Sequence, residues 1–257
     1  MALSKGNEAE RPSDGRKGYL ARASISPAMG GDATETPREF LLDCARFYRR
    51  LGFFARHAAL SDEALADELG RIGRDEWKGA LDPAKPMHQI VLASWDKDRV
   101  WWEDAYEWLG DLETMYTDAL QGWARISRAA FRPTEISESW ASPDGPVTVE
   151  FAMYGVRYRL TPEAEGETLD LNLLGPINAL IAPSGTRFVG VDSTDQTSIL
   201  VAVTPAEQAA LARRGWPFQD WIPVTGPPPL APRASRLAPP PRPPPPSQPA
   251  KKGWFSR

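Results

Sequence analysis

Residues 94–108, SWDKDRVWWEDAYEW, hold four tryptophans and five carboxylates in fifteen positions. Indole rings can stack on sugar faces, and a pair of carboxyl groups can act as acid and base across a glycosidic bond. Retaining glycosidases hold that pair about 5 Å apart and inverting ones about 6.5–9.5 Å apart. Asp96, Asp98, Glu103 and Asp104 are the candidates for such a pair, with Trp95 or Trp101 as platform. The same residues have a simpler use. Trp95, Trp101, Trp102, Tyr106 and Trp108 can join the core helices, indole N–H groups finding nearby carboxylates, while Lys97 and Arg99 partly neutralise the acids. Core packing is the first expectation, a partner-binding surface the second, and sugar chemistry the third.

A second cluster is DSTDQTS, residues 192–198. Asp192 and Asp195 on one turn offer oxygens to Mg²⁺ or Ca²⁺, but such cations need several more oxygens, and the regular Asx spacing of a calcium loop is absent. Asp, Ser and Thr are also ordinary turn residues, because their side chains bond the nearby backbone. A turn is the expectation. Elsewhere there is no GxGxxG, no GxxxxGK[ST] and no GxSxG. His57 and His88 stand 31 residues apart, and a zinc hydrolase would normally need more His or Cys ligands. Cys44 is the one cysteine, which excludes an internal disulfide and a thiolate cluster. No cofactor is expected.

These residues need elements to position them. Thr36-Pro37-Arg38-Glu39 has the form of a capping box, and Phe40, Cys44, Phe47, Leu51 and Phe54 follow it at helical spacing, which makes Cys44 a core residue. Ser61 is placed to cap a second helix, with Leu60 and Leu65 as a hydrophobic staple. Residues 89–94 fit a short helix or a buried strand equally well. Asp111 opens a long helix to about Ala130, lined by Met115, Tyr116, Ala119, Leu120, Trp123 and Ile126. Residues 131–146 read as a connector.

Beyond that point the period changes to two. Val147, Val149, Phe151 and Met153 alternate, as do Val156, Tyr158 and Leu160, with Tyr154-Gly155 as a hairpin turn between them. Leu171 to Ala182 reads as a helix, residues 187–191 and 197–203 as strands, and Thr204-Pro205-Ala206-Glu207 as another capping box. The C-terminal half thus runs strand–strand–helix twice, a weak pseudo-repeat. The predicted fold is α+β: N-terminal helices (36–130) packed with a C-terminal antiparallel sheet (147–215), as one composite domain over residues 36–222. Residues 1–35 are expected to be disordered, being rich in small and charged residues without periodicity.

Charge is unevenly spread. Residues 40–222 carry 18 Lys and Arg against 28 Asp and Glu, a net −10, whereas residues 223–257 carry six bases and no acid. An acidic body argues against nucleic-acid binding, which draws its affinity from Lys and Arg on phosphate. The proline-rich basic tail, with 13 prolines, favours an extended rod expected to be disordered. Its end, KKGWFSR, sets Lys251, Lys252 and Arg257 around Trp254 and Phe255, which suits weak contact with an anionic membrane or with an acidic protein surface. No apolar run is long enough to span a bilayer, and no signal peptide is evident, so a cytoplasmic location is expected.

The runs WDKDRVWWED, GPVTVEF, INALI, STDQTSILVAVTPAEQAAL and RRGW resemble a set of uncharacterised bacterial proteins, over about residues 40–218. The resemblance implies no activity. It implies only that the aromatic-acidic stretch and the DQT turn belong to the fold's own pattern. The functional expectation is a non-catalytic cytoplasmic interaction protein, with an immunity-like block of a basic toxin as one concrete form. The interaction candidates are Trp95, Trp101, Trp102, Asp192, Asp195, Gln196, Trp254 and Phe255. The alternative is a carboxylate-dependent hydrolase drawing on Glu103, Asp104, Asp192 or Asp195.

Overall fold

Strand-forming residues appear in this chain in two kinds of run, and each kind forms a different sheet. In TSILVAV (197–203) apolar residues are continuous, whereas in VTVEFAM (147–153) they alternate with polar or small ones. The first pattern needs apolar neighbours on both faces of a sheet, the second on one face only. A computed structural model of the chain describes residues 35–230 except 78, 106–110, 143–144, 164–165, 194–196, 221 and 223–224. The expected disorder of residues 1–34, most of the tail, Tyr106, Trp108, Asp195, Gln196, Trp254 and Phe255 lie outside the described residues.

The architecture is α+β with two antiparallel sheets. Six helices, α1 (Arg38–Arg50), α2 (Asp62–Ile72), α3 (Pro86–Ser94), α4 (Met115–Ile126), α5 (Leu174–Ile181) and α6 (Pro205–Arg213), accompany seven strands among the described residues. These are β1 (Val100–Asp104), β2 (Thr134–Trp140), β3 (Val147–Met153), β4 (Val156–Leu160), β5 (Arg187–Val191), β6 (Thr197–Val203) and β7 (Phe218–Gln219). One sheet has the order β1-β6-β5-β7 and the other β2-β3-β4. The two strand–strand–helix units therefore fall in different sheets rather than in one.

The four-stranded sheet divides two cores. Ile199, Val201 and Val203 of β6, with Val189 and Val191 of β5, pack against α1, α2, α3 and Trp216. Leu200 and Ala202, with Phe188, face α4, α5 and the three-stranded sheet. Strand β1 divides the same way: Val100 and Trp102 belong to the first core and Trp101 to the second. A continuous apolar strand is what two cores require.

Local signals account for most boundaries. Ser61 Oγ accepts from the Ala64 N–H (3.1 Å), and Thr204 with Glu207 forms a complete capping box. The Tyr154-Gly155 turn has φ of 54° and 76°, the pair of positive values that matches a hairpin's twist. Of the two forms open to residues 89–94, the structure has the helix, as part of α3, which opens on Pro86. Two expectations need correction. Thr36 caps no helix: α1 begins after Pro37, and Thr36 Oγ1 accepts from the Leu81 N–H at 2.7 Å. The supposed connector contains β2, an edge strand whose partly buried face is Ile136, Glu138 and Trp140. Glu138 sits in that face because it accepts from the Thr117 N–H at the start of α4 (2.6 Å) and from Trp140 Nε1 (2.9 Å).

The chain's ordered contacts also run past the expected boundary at residue 222. The Arg159 N–H of β4 donates to the Pro229 carbonyl at 2.9 Å, and Leu230 bridges Tyr158 in antiparallel fashion.

Candidate functional site

The two acidic clusters of the sequence meet at one end of the four-stranded sheet. Antiparallel pairing of β1 with β6 sets Glu103 opposite Ser198 and Asp104 opposite Thr197, so the end of β1 lies beside the last residues of the 192–198 segment. Beside this end lies a cleft of about 550 Å³. Its walls come from the ends of β5 and β6 (Asp192, Ser193, Thr197, Ser198), from the loop before α5 (Glu163, Thr168, Asp170, Asn172) and from Gln219 of β7.

Local chemistry holds each wall. Asp170 is the N-cap of the turn leading into α5: Oδ1 accepts from the Asn172 N–H (2.9 Å) and Oδ2 from the Glu163 N–H (2.9 Å). Its own N–H donates to the Tyr116 hydroxyl (3.3 Å), and burial raises that phenol to about 12. The Leu169 N–H donates to the Ala105 carbonyl (2.8 Å), which ties the loop to the end of β1. On the other wall the Ser193 hydroxyl donates to the Thr197 carbonyl (2.6 Å), closing the turn, and the Asp192 N–H donates to the Pro217 carbonyl (2.8 Å).

The lining is strongly one-sided. Among the described residues it includes the carboxylates Glu163, Asp170 and Asp192, several hydroxyls and amides, and no Lys, Arg or His. Such a surface offers acceptors to a guanidinium or an ammonium. Both Asp170 oxygens hold backbone N–H groups, and the Ser193 hydroxyl donates to a carbonyl. Among the described residues no group of three or more His, Cys, Asp or Glu is placed to hold a metal ion.

Of the sequence candidates, Asp192 lines the cleft, while Asp195 and Gln196 lie outside the described residues. Trp101 is 7 % exposed and packs edge-to-face on Trp123 (6.1 Å) in the second core. Trp102 packs, partly buried, against the first core, and Trp95 caps the end of α3 against that same core. None of the three reaches the cleft. Glu103 and Asp104, adjacent on a strand, point to opposite faces. Burial raises the Glu103 carboxyl above its usual range, against the opposing pull of Lys97 and Arg125.

The remaining candidates serve the fold. Asp96 is buried and accepts from the N–H of Phe54, a residue held at a φ of 58°, and from that of Asp98 (3.1 Å). Asp98 pairs with Arg56 Nη2 at 2.7 Å. His88 Nδ1 accepts from the Asp82 N–H (2.6 Å), and Cys44 is fully buried, its thiol raised to about 11 by burial.

Sequence reasoning missed Glu163, Thr168, Asp170, Asn172 and Gln219. Asp170 had a legible signal, an Asp one position before a helical run. The others had none. Comparison with protein-family models, with curated proteins and with solved structures found no match to this chain.

Proposed function

We propose that the chain is a non-catalytic interaction protein whose acidic cleft at the β5–β6 end receives basic groups of a protein partner. The observation that carries this reading is the cleft lining, with carboxylates from two separate walls and no basic residue among those described. The net −10 over residues 40–222 supports it, because a field of one sign speeds encounter with a partner of the other. An immunity-like block of a basic toxin is the concrete form that fits such a surface, and the cytoplasm is the compartment in which we place it.

The hydrolase alternative would need two carboxyls side by side, one held protonated. The raised Glu103 carboxyl favours it, while the opposite facing of Glu103 and Asp104 weighs against it.

Among the described residues no helix is long and apolar enough to cross a membrane. Peripheral contact with anionic lipid through Lys251, Lys252, Trp254, Phe255 and Arg257 belongs to the same proposal.

Affinity capture at low and high salt tests the main reading. The wild-type chain should retain a basic protein at low salt and release it at high salt. A chain carrying Glu163→Gln and Asp192→Asn should retain markedly less. Equal recovery on both chains would remove the cleft from the account.

A further inference from the structure

Among the described residues the large apolar side chains left exposed are Tyr154 (71 %), Val156 (38 %) and Leu230 (67 %). All three belong to one place, the β4 side of the three-stranded sheet. Tyr154 stands in the β3–β4 turn, Val156 begins β4, and Leu230 bridges Tyr158 in the middle of β4.

A sheet edge carries unpaired N–H and C=O groups and invites another strand, so proteins blunt their edges. The β2 edge is blunted by its own irregularity. Its register shifts between Thr134 and Ser137, with Glu135 at a φ of 50°. The β4 edge is regular along its pairing with β3. What covers it is the chain's own segment Thr225–Leu230, TGPPPL, whose Pro229 carbonyl takes the outward Arg159 N–H and whose Pro228 is buried. Three consecutive prolines give this cover a chemical asymmetry. The Pro229 carbonyl accepts from β4, but none of the three prolines brings an N–H of its own, so a further strand gains no donors from them.

We infer that Thr225–Leu230 is a built-in edge cap, occupying in cis a surface that otherwise pairs with a second copy of this chain through β4. A second copy fits because the seam is symmetric in charge as well as in backbone. Arg157 and Arg159 on β4 are each paired within their own sheet, to Glu135 and Glu150 respectively, so two β4 strands meet with their charges already compensated. The exposed Tyr154 and Val156 of each copy are then covered by the other.

The test keeps the full-length chain and replaces Thr225–Leu230 by Gly-Ser-Gly-Ser-Gly-Ser, which preserves length and charge. Sedimentation velocity should find the wild-type chain monomeric and the replaced chain in a concentration-dependent dimer. Adding Arg159→Pro to the replaced chain removes the outward donor at an edge position that tolerates proline, and should restore the monomer. Amide exchange on the wild-type chain gives an independent reading that does not depend on any variant folding. The Arg159 N–H should exchange about tenfold or more slowly than an unbonded edge amide. A replaced chain that stays monomeric, a dimer unaffected by Arg159→Pro, or an unprotected Arg159 amide in the wild type would each overturn the inference.

Discussion

The indole of Trp101 lies directly against Gly122: a Cβ on that glycine would stand 2.7 Å from Trp101 Cδ1 and 2.8 Å from Nε1. This contact locks α4 to β1, the strand whose far end borders the cleft. Trp101 has little room to retreat, since its other neighbour is the edge of Trp123. In an exposed helix, Gly→Ala stabilises by about 1 kcal/mol. Here overpacking, which typically costs about 1–3 kcal/mol, should win. Gly122→Ala is expected to lower stability in urea melts by about 1 kcal/mol net, the overpacking cost less the propensity gain. A more stable variant would show that the indole is free to move.

Trp123 is fully buried, and its indole N–H has no hydrogen-bond partner. Trp123→Ala should cost about 3–5 kcal/mol, as large aromatic truncations in cores do. Trp123→Phe should cost clearly less, because it keeps much of the volume while removing an unpaired buried donor. Urea melts of both variants check the order, and equal losses would mean that the N–H finds a partner in solution.

His88 should make stability depend on pH. Its Nδ1 accepts the Asp82 N–H, which only a neutral ring can do, and its ring edge meets Trp77 at 5.6 Å. Burial, with help from Lys85 and against Asp82, holds its pKa below the ordinary 6.5. As pH falls, the unfolded chain therefore takes the proton first. The contribution is fully present above 6.5 and is lost as pH falls from there through the lowered folded value. His88→Gln keeps an acceptor without a titrating proton, so its melting temperature should fall less over that window. Parallel curves for the two chains would place the pH dependence elsewhere.

The reach of the sequence followed the range of each interaction. Tyr154-Gly155, Ser61 and Thr204 were legible because their partners lie within a few residues. Thr36 was not, since its hydroxyl serves Leu81, 45 residues away. Strand β2 was hidden because Glu138, a charged residue, occupies a position where the pattern demanded an apolar one, and its partners at Thr117 and Trp140 emerge only on folding. Asp192 stood out as a turn residue, but nothing local announces that Glu163 and Asp170 close the opposite wall.

A chain truncated after Leu230 should melt within about a degree of full length, because it keeps the Pro229 acceptor of the Arg159 N–H. Truncation after Ile222 removes the Pro229 acceptor from Arg159, worth about 1 kcal/mol, or roughly 2–4 °C in a domain of this size. Only the full-length chain should sediment with anionic vesicles at low salt, because both truncations lack Lys251, Lys252, Trp254, Phe255 and Arg257. Vesicle binding by a truncated chain would move the contact to the body.

The acidic cleft is tested most directly by titrating the chain with a short fluorescent oligo-arginine peptide and following anisotropy. The wild-type chain should bind it saturably, with affinity falling steeply as salt rises. Glu163→Gln with Asp192→Asn should weaken binding about tenfold, while neutralising Asp67 and Asp75, exposed acids on α2 and just beyond it, should change little. Equal weakening by the two pairs would reduce the effect to net charge and contradict the cleft as the site.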